Sequence, residues 1–332
     1  MTKPKRIAIN GFGRIGRLTF RNLIKNPKIE VVAINDLTDN DTLAHLLKYD
    51  TMHGGFDGKV KADKSSLTVN GHKITALSER DPAKLPWKDL KIDLVLECTG
   101  FFLTREAAQL HIEAGAKKVI LSAPPKSADI PMVVIGANHK EVKKSEKVIS
   151  NASCTTNCLT PMVKVLDSNF GINQFFMTTI HAYTAGQKLQ DAPHRDLRRA
   201  RAAAENLVPT STGAANAVLG IFPHLKGKIA AGAVRVPIAT GSLTELTVVL
   251  DKATTVEDIN AAFKKAAKKE LKGILEYQVD PIVSSDIVRN THSCIFDSLL
   301  TTVNGNMARI VGWYDNEAGY SARLADLAVM KA

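Results

Sequence analysis

The chain has 332 residues, of which 45% are hydrophobic and 23% are charged, and its formal net charge is +11 at neutral pH. A chain of this length is expected to build more than one hydrophobic core, and no apolar run approaches the ~18 residues of a membrane span. The apolar run after the basic residues 1–6 is too short for a signal peptide, so we expect a cytoplasmic protein.

Strand and helix patterns alternate through the first third of the chain. Short runs separated by turn residues such as Asn70-Gly71 then predict an antiparallel excursion over residues 58–75, after which the alternation resumes. This rhythm predicts an α/β fold with a Rossmann-type, doubly wound parallel sheet. The predicted parallel strands cover residues 6–10, 29–35, 93–97 and 117–121, and the predicted helices cover residues 14–25, 42–48 and 104–113.

A glycine-rich turn follows the first predicted strand. Gly11, Gly13 and Gly16 form the pattern GxGxxG, in which the first glycine makes the turn, the second admits a pyrophosphate and the third packs helix on strand. Asp36 ends the second strand about 20 residues later, where a carboxylate binds the adenosine ribose hydroxyls. Because this carboxylate repels a 2′-phosphate and Leu37 offers no group to bind one, the pattern favours NAD over NADP.

Three further residues lie at predicted strand ends of the same region. They are Thr99, Gly100 and Ser122. Ligands of doubly wound sheets bind at the carboxyl ends of the strands, so these residues are candidate cofactor neighbours as well as ordinary turn residues.

The pattern changes near residue 150 to longer strands with period-two alternation, as in residues 172–180 and 243–250. We therefore expect an NAD-binding domain over residues 1–152 and an α+β catalytic domain with a large mixed or antiparallel sheet over residues 153–315. A C-terminal helix over residues 316–332, with Asn316 as its cap, is expected to complete the first domain.

The positive charge could serve a nucleic-acid surface, the attraction of anionic small molecules or solubility. Residues 255–273 predict a helix with Thr255 and Asp258 as a capping box and Gly273 as its stop. Its four lysines lie mainly opposite the apolar face, which is the pattern of a solvated surface. Since no recognition motif accompanies the charge, nucleic acid is at most a secondary partner.

One cysteine is a candidate nucleophile. Cys154 follows several capping residues and precedes an apolar stretch, so we expect it near a helix N-terminus, where the partial positive charge favours a thiolate. Pro161 suits a helix start or a kink, and the sequence does not decide between them. The other three cysteines, Cys98, Cys158 and Cys294, are better interpreted as small buried hydrophobic residues. The spacing of the four cysteines implies neither disulfides nor a metal site.

His181 is the best candidate for the base that accepts the thiol proton. It follows the strand predicted over residues 172–180 and begins a polar segment, a position where sites are often built. The cysteine and histidine alone are a weak pairing, since a surface or core histidine is the default.

Together these motifs resemble the glyceraldehyde-3-phosphate dehydrogenase family over essentially the whole chain. The motifs that carry the resemblance are Asn10-Gly-Phe-Gly-Arg-Ile-Gly16, Ser150-Asn-Ala-Ser-Cys-Thr-Thr-Asn157, His181-Ala-Tyr-Thr184, Pro209-Thr-Ser-Thr-Gly-Ala-Ala215, Arg235-Val-Pro237 and Trp313-Tyr-Asp-Asn-Glu317.

The resemblance implies oxidation of D-glyceraldehyde 3-phosphate with NAD to 1,3-bisphosphoglycerate, through a hemithioacetal and a thioester on Cys154 and with His181 as base. It implies a pocket for the substrate phosphate at Thr184 and Arg235. The residues implied for the attacking inorganic phosphate are Ser153, Thr155, Thr212 and Gly213, and those implied as further cofactor contacts are Arg14, Ile15, Arg80 and Asn316.

The arginine-rich residues 187–206 resemble the family's S-shaped loop between subunits, which implies a homotetramer. Ala192 stands where many NAD-specific relatives carry leucine, although Pro193 follows as in those relatives, so strict NAD specificity stays open.

Two other functions are also consistent with parts of the sequence. Erythrose-4-phosphate dehydrogenase shares the cysteine motif, although Thr184 and the intact Ser211-Thr-Gly213 argue against it. An NAD-sensing or nucleic-acid-binding protein of the same fold would use the positive charge, but retention of Cys154, His181 and Arg235 argues for an enzyme.

Overall fold

The structure, a computed structural model, describes residues 3–143 and 145–332, and the chain divides into two compact units. The first unit contains the chain up to Val133 together with His139–Ala152 and Ser321–Ala332. The second contains Val134–Asn138 and Ser153–Tyr320. Relative to the boundaries expected from the sequence, Val134–Asn138 joins the second unit, and the C-terminal helix joins the first only from Ser321.

An eight-stranded sheet forms the centre of the first unit. Its strands are β1 (Lys5–Asn10), β2 (Ile29–Asn35), β3 (Val60–Asp63), β4 (Ser66–Val69), β5 (His72–Leu77), β6 (Leu94–Glu97), β7 (Lys118–Leu121) and β8 (Val148–Ser150). The spatial order is β3-β4-β5-β2-β1-β6-β7-β8. All neighbours from β5 to β8 are parallel, whereas β3, β4 and β5 pair antiparallel. The predicted Rossmann-type sheet with an antiparallel excursion is confirmed.

The helices of this unit begin at the residue types expected of caps. They are α1 (Arg14–Leu23), α2 (Asn40–Lys48) and α3 (Arg105–Glu113). The Asp39 carboxylate accepts a hydrogen bond from the Thr42 N–H at 2.9 Å, and the Thr104 hydroxyl accepts one from the Ala107 N–H at 3.2 Å. In contrast, Gly13 supplies no side-chain cap for α1, which suits a helix start that receives an anionic ligand.

The second unit contains another mixed sheet. Its strands are β9 (Ile172–Ala182), β10 (Val208–Thr210), β11 (Ile229–Val236), β12 (Ser242–Leu250), β13 (Leu275–Gln278), β14 (Cys294–Asp297), β15 (Thr302–Asn304) and β16 (Met307–Tyr314). Seven of them follow the order β10-β11-β9-β12-β16-β14-β13, and β15 pairs with β16. Only the β9–β11 and β13–β14 pairs are parallel, so the expected large mixed sheet is confirmed.

Three helices belong to the second unit: α4 (Cys154–Phe170), α5 (Ala214–Ile221) and α6 (Val256–Lys268). Pro161 lies in the interior of α4, so it neither starts nor ends that helix. Thr255 caps α6 as predicted, because the Asp258 N–H donates to the Thr255 hydroxyl at 3.1 Å, while the Asp258 carboxylate accepts from that hydroxyl at 3.0 Å. That helix stops at Lys268, before the expected Gly273, so it contains three of the four lysines, and all four are exposed.

The last helix, α7, spans Ala318–Lys331. Asp315 caps it, since its carboxylate accepts hydrogen bonds from the N–H groups of Glu317 and Ala318 at 2.9 Å each. The prediction that Asn316 caps this helix is therefore wrong. The Asn316 amide oxygen instead accepts a hydrogen bond from the Ser242 hydroxyl at 2.9 Å, because the side chain points back toward the start of β12.

Among residues 3–143 and 145–332, no helix has both the length and the apolar character that crossing a membrane requires.

Candidate active site

A cavity of about 500 Å³ lies in the first unit at the carboxyl ends of β1, β2 and β6. This is the edge at which doubly wound sheets bind their ligands. Its lining includes the predicted residues Gly11, Gly13, Asp36, Arg80 and Thr99. Ile15 and Gly16 follow in the first turn of α1, and Ser122 lies just after β7, where its N–H donates to the Glu97 carbonyl at 2.9 Å.

The glycine turn has the geometry that a pyrophosphate needs. Gly11 adopts φ +92°, and a Cβ there would lie 2.7 Å from the backbone carbonyl carbon of Cys98, so the turn and the end of β6 can meet only with glycine. A Cβ on Gly13 would meet nothing within 4 Å. The space beside Gly13 is therefore open to a ligand at the start of α1.

Asp36 is held at the rim of this turn. Its carboxylate accepts hydrogen bonds from the Phe12 N–H at 2.8 Å and the Thr38 N–H at 3.0 Å. Arg14, the first residue of α1, forms an ion pair with Asp50 at 3.1 Å. An adenosine ribose fits this carboxylate and the pyrophosphate fits the open glycine turn, so the residues present suit NAD.

Sequence reasoning missed a buried polar network beneath the same cavity. The Asn10 side-chain amide donates to the Glu97 carboxylate at 2.6 Å, and the Asn35 side-chain amide donates to the side-chain oxygen of Asn10 at 2.6 Å. Glu97 also accepts a hydrogen bond from the Thr99 N–H at 2.7 Å. A glutamate at the end of an otherwise apolar strand was the signal in the sequence.

The second unit brings a thiol and an imidazole together. Cys154 is the first residue of α4, and its Sγ lies 3.4 Å from Nε2 of His181, near the end of β9. The predicted helix-start position of Cys154 is therefore observed, whereas His181 lies inside its strand and not just beyond it. Ser153 caps α4 with its hydroxyl, which accepts a hydrogen bond from the Thr156 N–H at 3.1 Å.

Arg235 adjoins the imidazole because β9 and β11 run parallel with Arg235 in register with His181. One guanidinium nitrogen contacts His181 Nδ1 and donates to the Ala182 carbonyl at 3.0 Å. His181 Nδ1 also lies 2.7 Å from that carbonyl, which can only accept. The Ala182 carbonyl favours a ring proton on Nδ1, which leaves the Nε2 lone pair facing the thiol, whereas the Arg235 N–H group at Nδ1 favours the other tautomer.

Burial and then the Arg235 charge lower the pKa of His181 from 6.5 to about 3, so the ring is neutral near pH 7 and able to accept a proton. Burial also raises the pKa of Cys154, and this outweighs the lowering by Arg235 and by the N–H groups at the start of α4. The prediction that the helix start favours a resting thiolate is thus opposed by desolvation. The sulfur loses its proton when it reacts, and His181 is placed to take it.

A buried tyrosine beside the thiol was also missed by sequence reasoning. The Tyr314 hydroxyl lies 2.9 Å from the hydroxyls of both Thr155 and Thr179. Its ring packs edge-on against His181, with 5.9 Å between ring centroids. The imidazole is therefore fixed from one side by a carbonyl and from another by an aromatic ring.

The remaining predicted substrate residues lie at the ends of their elements. Thr184 is exposed beyond β9, and its N–H donates to the Gln187 side chain at 3.3 Å. Thr212 accepts a hydrogen bond from the Ala214 N–H at 3.2 Å, and Gly213 caps α5, which packs against α4. The structure brings Cys154, His181 and Arg235 into contact and shows no such link for Thr184 or Thr212 among the described contacts.

A dinucleotide-binding sheet and a thiol held against a neutral imidazole define a dinucleotide-dependent enzyme with a cysteine nucleophile. The family model described as glyceraldehyde 3-phosphate dehydrogenase, NAD binding domain, matches residues 5–105, and that of the C-terminal domain matches residues 153–316. The chain belongs to the glyceraldehyde-3-phosphate dehydrogenase family and is an NAD-dependent oxidoreductase.

Its relatives match it from end to end. Glyceraldehyde-3-phosphate dehydrogenase of Mycobacterium avium is 57% identical over 98% of each chain. Glyceraldehyde-3-phosphate dehydrogenase 1 of Bacillus cereus is 56% identical over 99% of this chain and 98% of its own, and the Geobacillus stearothermophilus enzyme is 55% identical over 97% of each chain.

Proposed function

We propose that the protein oxidises D-glyceraldehyde 3-phosphate to 1,3-bisphosphoglycerate, with NAD and inorganic phosphate. The observation that carries the proposal is the 3.4 Å contact between Cys154 Sγ and His181 Nε2, with Arg235 beside it. The relatives reported above are named for this activity, and they match this chain over nearly their whole length.

The first step uses the neutral imidazole. His181 Nε2 takes the proton of the Cys154 thiol as the sulfur adds to the aldehyde carbon, which forms a hemithioacetal. The start of α4 presents N–H groups at which the developing oxyanion is stabilised. His181 returns this proton to the oxyanion, which completes the hemithioacetal, and then accepts it again from the hydroxyl as hydride leaves the carbon and the thioester forms. NAD, when bound, supplies the hydride acceptor.

The second step transfers the acyl group to phosphate. Inorganic phosphate attacks the thioester carbon, the Cys154 sulfur leaves, and the acyl phosphate forms. Arg235 contributes positive charge beside the thiol, and we assign it with Thr184 to the substrate phosphate. Hydroxyl and N–H groups for the attacking phosphate are assigned to Ser153, Thr155, Thr212 and Gly213.

The two compact units have different proposed roles. We assign cofactor binding to the first, through Arg14, Ile15, Gly16, Arg80 and Ser122 as well as the residues at the cavity. Asn316, in the second unit, is assigned a further cofactor contact. Asp36 favours the ribose hydroxyl of NAD over the phosphate of NADP.

A homotetramer in the cytoplasm completes the proposal. Large apolar side chains are exposed in and just after residues 187–206, with Leu189 78% and Leu197 81% accessible in the single chain. Exposure on this scale is typical of a surface that another subunit covers. A reactive thiol such as Cys154 suits a reducing compartment.

The test follows formation of reduced nicotinamide from glyceraldehyde 3-phosphate and NAD, with and without inorganic phosphate. We expect multiple turnovers only with phosphate, and much slower turnover with NADP. A single burst that ignores phosphate would contradict the second anion site, and activity confined to erythrose 4-phosphate would identify the sister enzyme.

A further inference from the structure

In the first unit, a hydrogen-bonded series of buried side chains ends at Glu97. The Trp87 indole N–H donates to Nδ1 of His111 at 3.0 Å, and Nε2 of His111 lies 3.0 Å from the Glu97 carboxylate. Trp87, His111 and Glu97 are each 0% exposed. A polar chain buried this deeply must have every hydrogen bond run from a donor to an acceptor, because a mismatch has no water to relieve it.

Trp87 fixes the direction of the hydrogen bonds at one end of this series. An indole nitrogen only donates, so Nδ1 of His111 accepts and carries no proton. The single proton of the neutral ring is then on Nε2, which donates to Glu97. From this side, Glu97 can act only as an acceptor.

The backbone of Glu79 fixes the direction of the hydrogen bonds at the other end, which runs through Asn35 and Asn10. Its N–H donates to the Asn35 side-chain oxygen at 2.8 Å, so the Asn35 amide nitrogen donates to the Glu79 carbonyl at 2.8 Å and to the Asn10 oxygen. The Asn10 nitrogen is therefore turned toward Glu97, to which it donates at 2.6 Å. A flip of Asn35 would place its NH₂ group against the Glu79 N–H, and a flip of Asn10 would place its NH₂ group against that of Asn35.

The second oxygen of Glu97 accepts from the N–H of Thr99 at 2.7 Å and from its hydroxyl. Two hydrogen-bond partners therefore meet each carboxylate oxygen, and of the four only the Thr99 hydroxyl has a lone pair with which it could accept a carboxyl proton. This arrangement suits a carboxylate that accepts hydrogen bonds from neutral dipoles.

We propose that Glu97 is a positioning residue for the cofactor: its buried carboxylate holds the loops that form the dinucleotide cavity in their binding geometry. Three members of the network line the cavity: Asn10 and Asn35, which directly precede Gly11 and Asp36, and Thr99. The inference rests on the assignment of this cavity to NAD.

A neutral amide of the same shape cannot replace the carboxylate. In Glu97→Gln, the amide has two orientations. If its oxygen faces Thr99, the NH₂ group opposes the donors of Asn10 and His111; if its oxygen faces those two donors, the NH₂ group opposes the Thr99 N–H. Since Trp87 and Glu79 block the compensating flips, at least one donor pair is opposed in either orientation. The loops must move apart to relieve this opposition.

The experiment measures NAD affinity by calorimetry in the full-length protein. In parallel, an activated aryl ester reports acylation of Cys154 without NAD, a reaction of the second unit alone. We expect Glu97→Gln to weaken NAD binding by about tenfold, from the cost of a mismatched buried donor. Cys154 acylation should be unchanged. The matched control is Glu146→Gln, which removes a carboxylate of the same unit outside the network and should leave both values unchanged.

NAD affinity equal to that of the parent in Glu97→Gln would overturn the proposal, as would an equal loss of Cys154 acylation.

A neutron structure of the unmodified protein gives an answer even if the variant does not fold. Deuterium on His111 Nε2 and none on Glu97 is the expected result, and a protonated Glu97 would refute the inference. A parent protein that binds no NAD at all would instead contradict the proposed function.

Discussion

At position 154, the start of a helix and the loss of solvent act on the same sulfur in opposite directions. Burial raises the pKa of Cys154, so a base within reach is needed and His181 supplies it. We expect Cys154→Ser to fold and bind NAD like the parent while phosphorylating oxidation is lost, because serine is a far weaker nucleophile beside a neutral imidazole. Calorimetric titration with NAD and the phosphate-dependent assay measure the two effects. Appreciable turnover in this variant would contradict the assignment of the nucleophile.

The histidine at position 181 makes stability depend on pH. Its pKa is lowered from 6.5 to about 3 by burial and Arg235, so below about pH 6.5 the unfolded chain binds a proton that the folded chain does not. The free energy of unfolding therefore decreases as the pH falls through this window. Relative to His181→Asn, we expect the parent to lose about 2 kcal/mol between pH 7 and pH 5.

Urea denaturation of both proteins at several pH values measures this difference. Parallel stability profiles for parent and variant would show that His181 does not resist protonation in the folded state. His224→Asn serves as the control, because that imidazole is more than half exposed beside Asp167.

At the scale of elements, α4 packs on the second sheet through sulfur atoms. A Cβ on Gly312 of β16 would lie 2.7 Å from Cys294 Sγ, 2.7 Å from Met162 Sδ and 3.2 Å from Cys158 Sγ. We therefore expect Gly312→Ala to lower the free energy of unfolding by about 1–3 kcal/mol, the usual cost of overpacking a filled core.

Thermal and urea denaturation measure this cost. The control is Gly232→Ala on β11, where the nearest atom to a new Cβ, on Phe176, is 3.8 Å away and the contact is ordinary. Equal stability of Gly312→Ala and the parent would mean that the sulfur atoms yield easily and that this interface is loosely packed.

For the molecule as a whole, the exposed apolar side chains near residues 187–207 predict self-association. If a subunit covers Leu197, then Leu197→Glu places a charge in an apolar interface and should produce smaller species. Light scattering after gel filtration measures the mass. Met330→Glu, an exposed position on α7, is the control and should keep the parent mass. A parent that elutes as a monomer would contradict the proposed homotetramer.

The sequence by itself determined the features that depend on neighbours in the chain. The strand–glycine turn–helix start, the capping of α4 by Ser153 and of α6 by Thr255, and the solvated lysine face of α6 follow from local hydrogen bonds and periodicity. The family motifs added the roles of His181 and Arg235, which local patterns alone left weak.

Only the tertiary structure decided which distant residues meet. His181 and Arg235 are 54 residues apart and become neighbours through the register of β9 and β11. Asn10 and Glu97 are 87 residues apart and meet through the pairing of β1 and β6. The physical reason is that sheet register sets such contacts, and register depends on the burial of both faces of the whole sheet. Desolvation, which decides the protonation of Cys154 and His181, likewise exists only once the surrounding elements have packed.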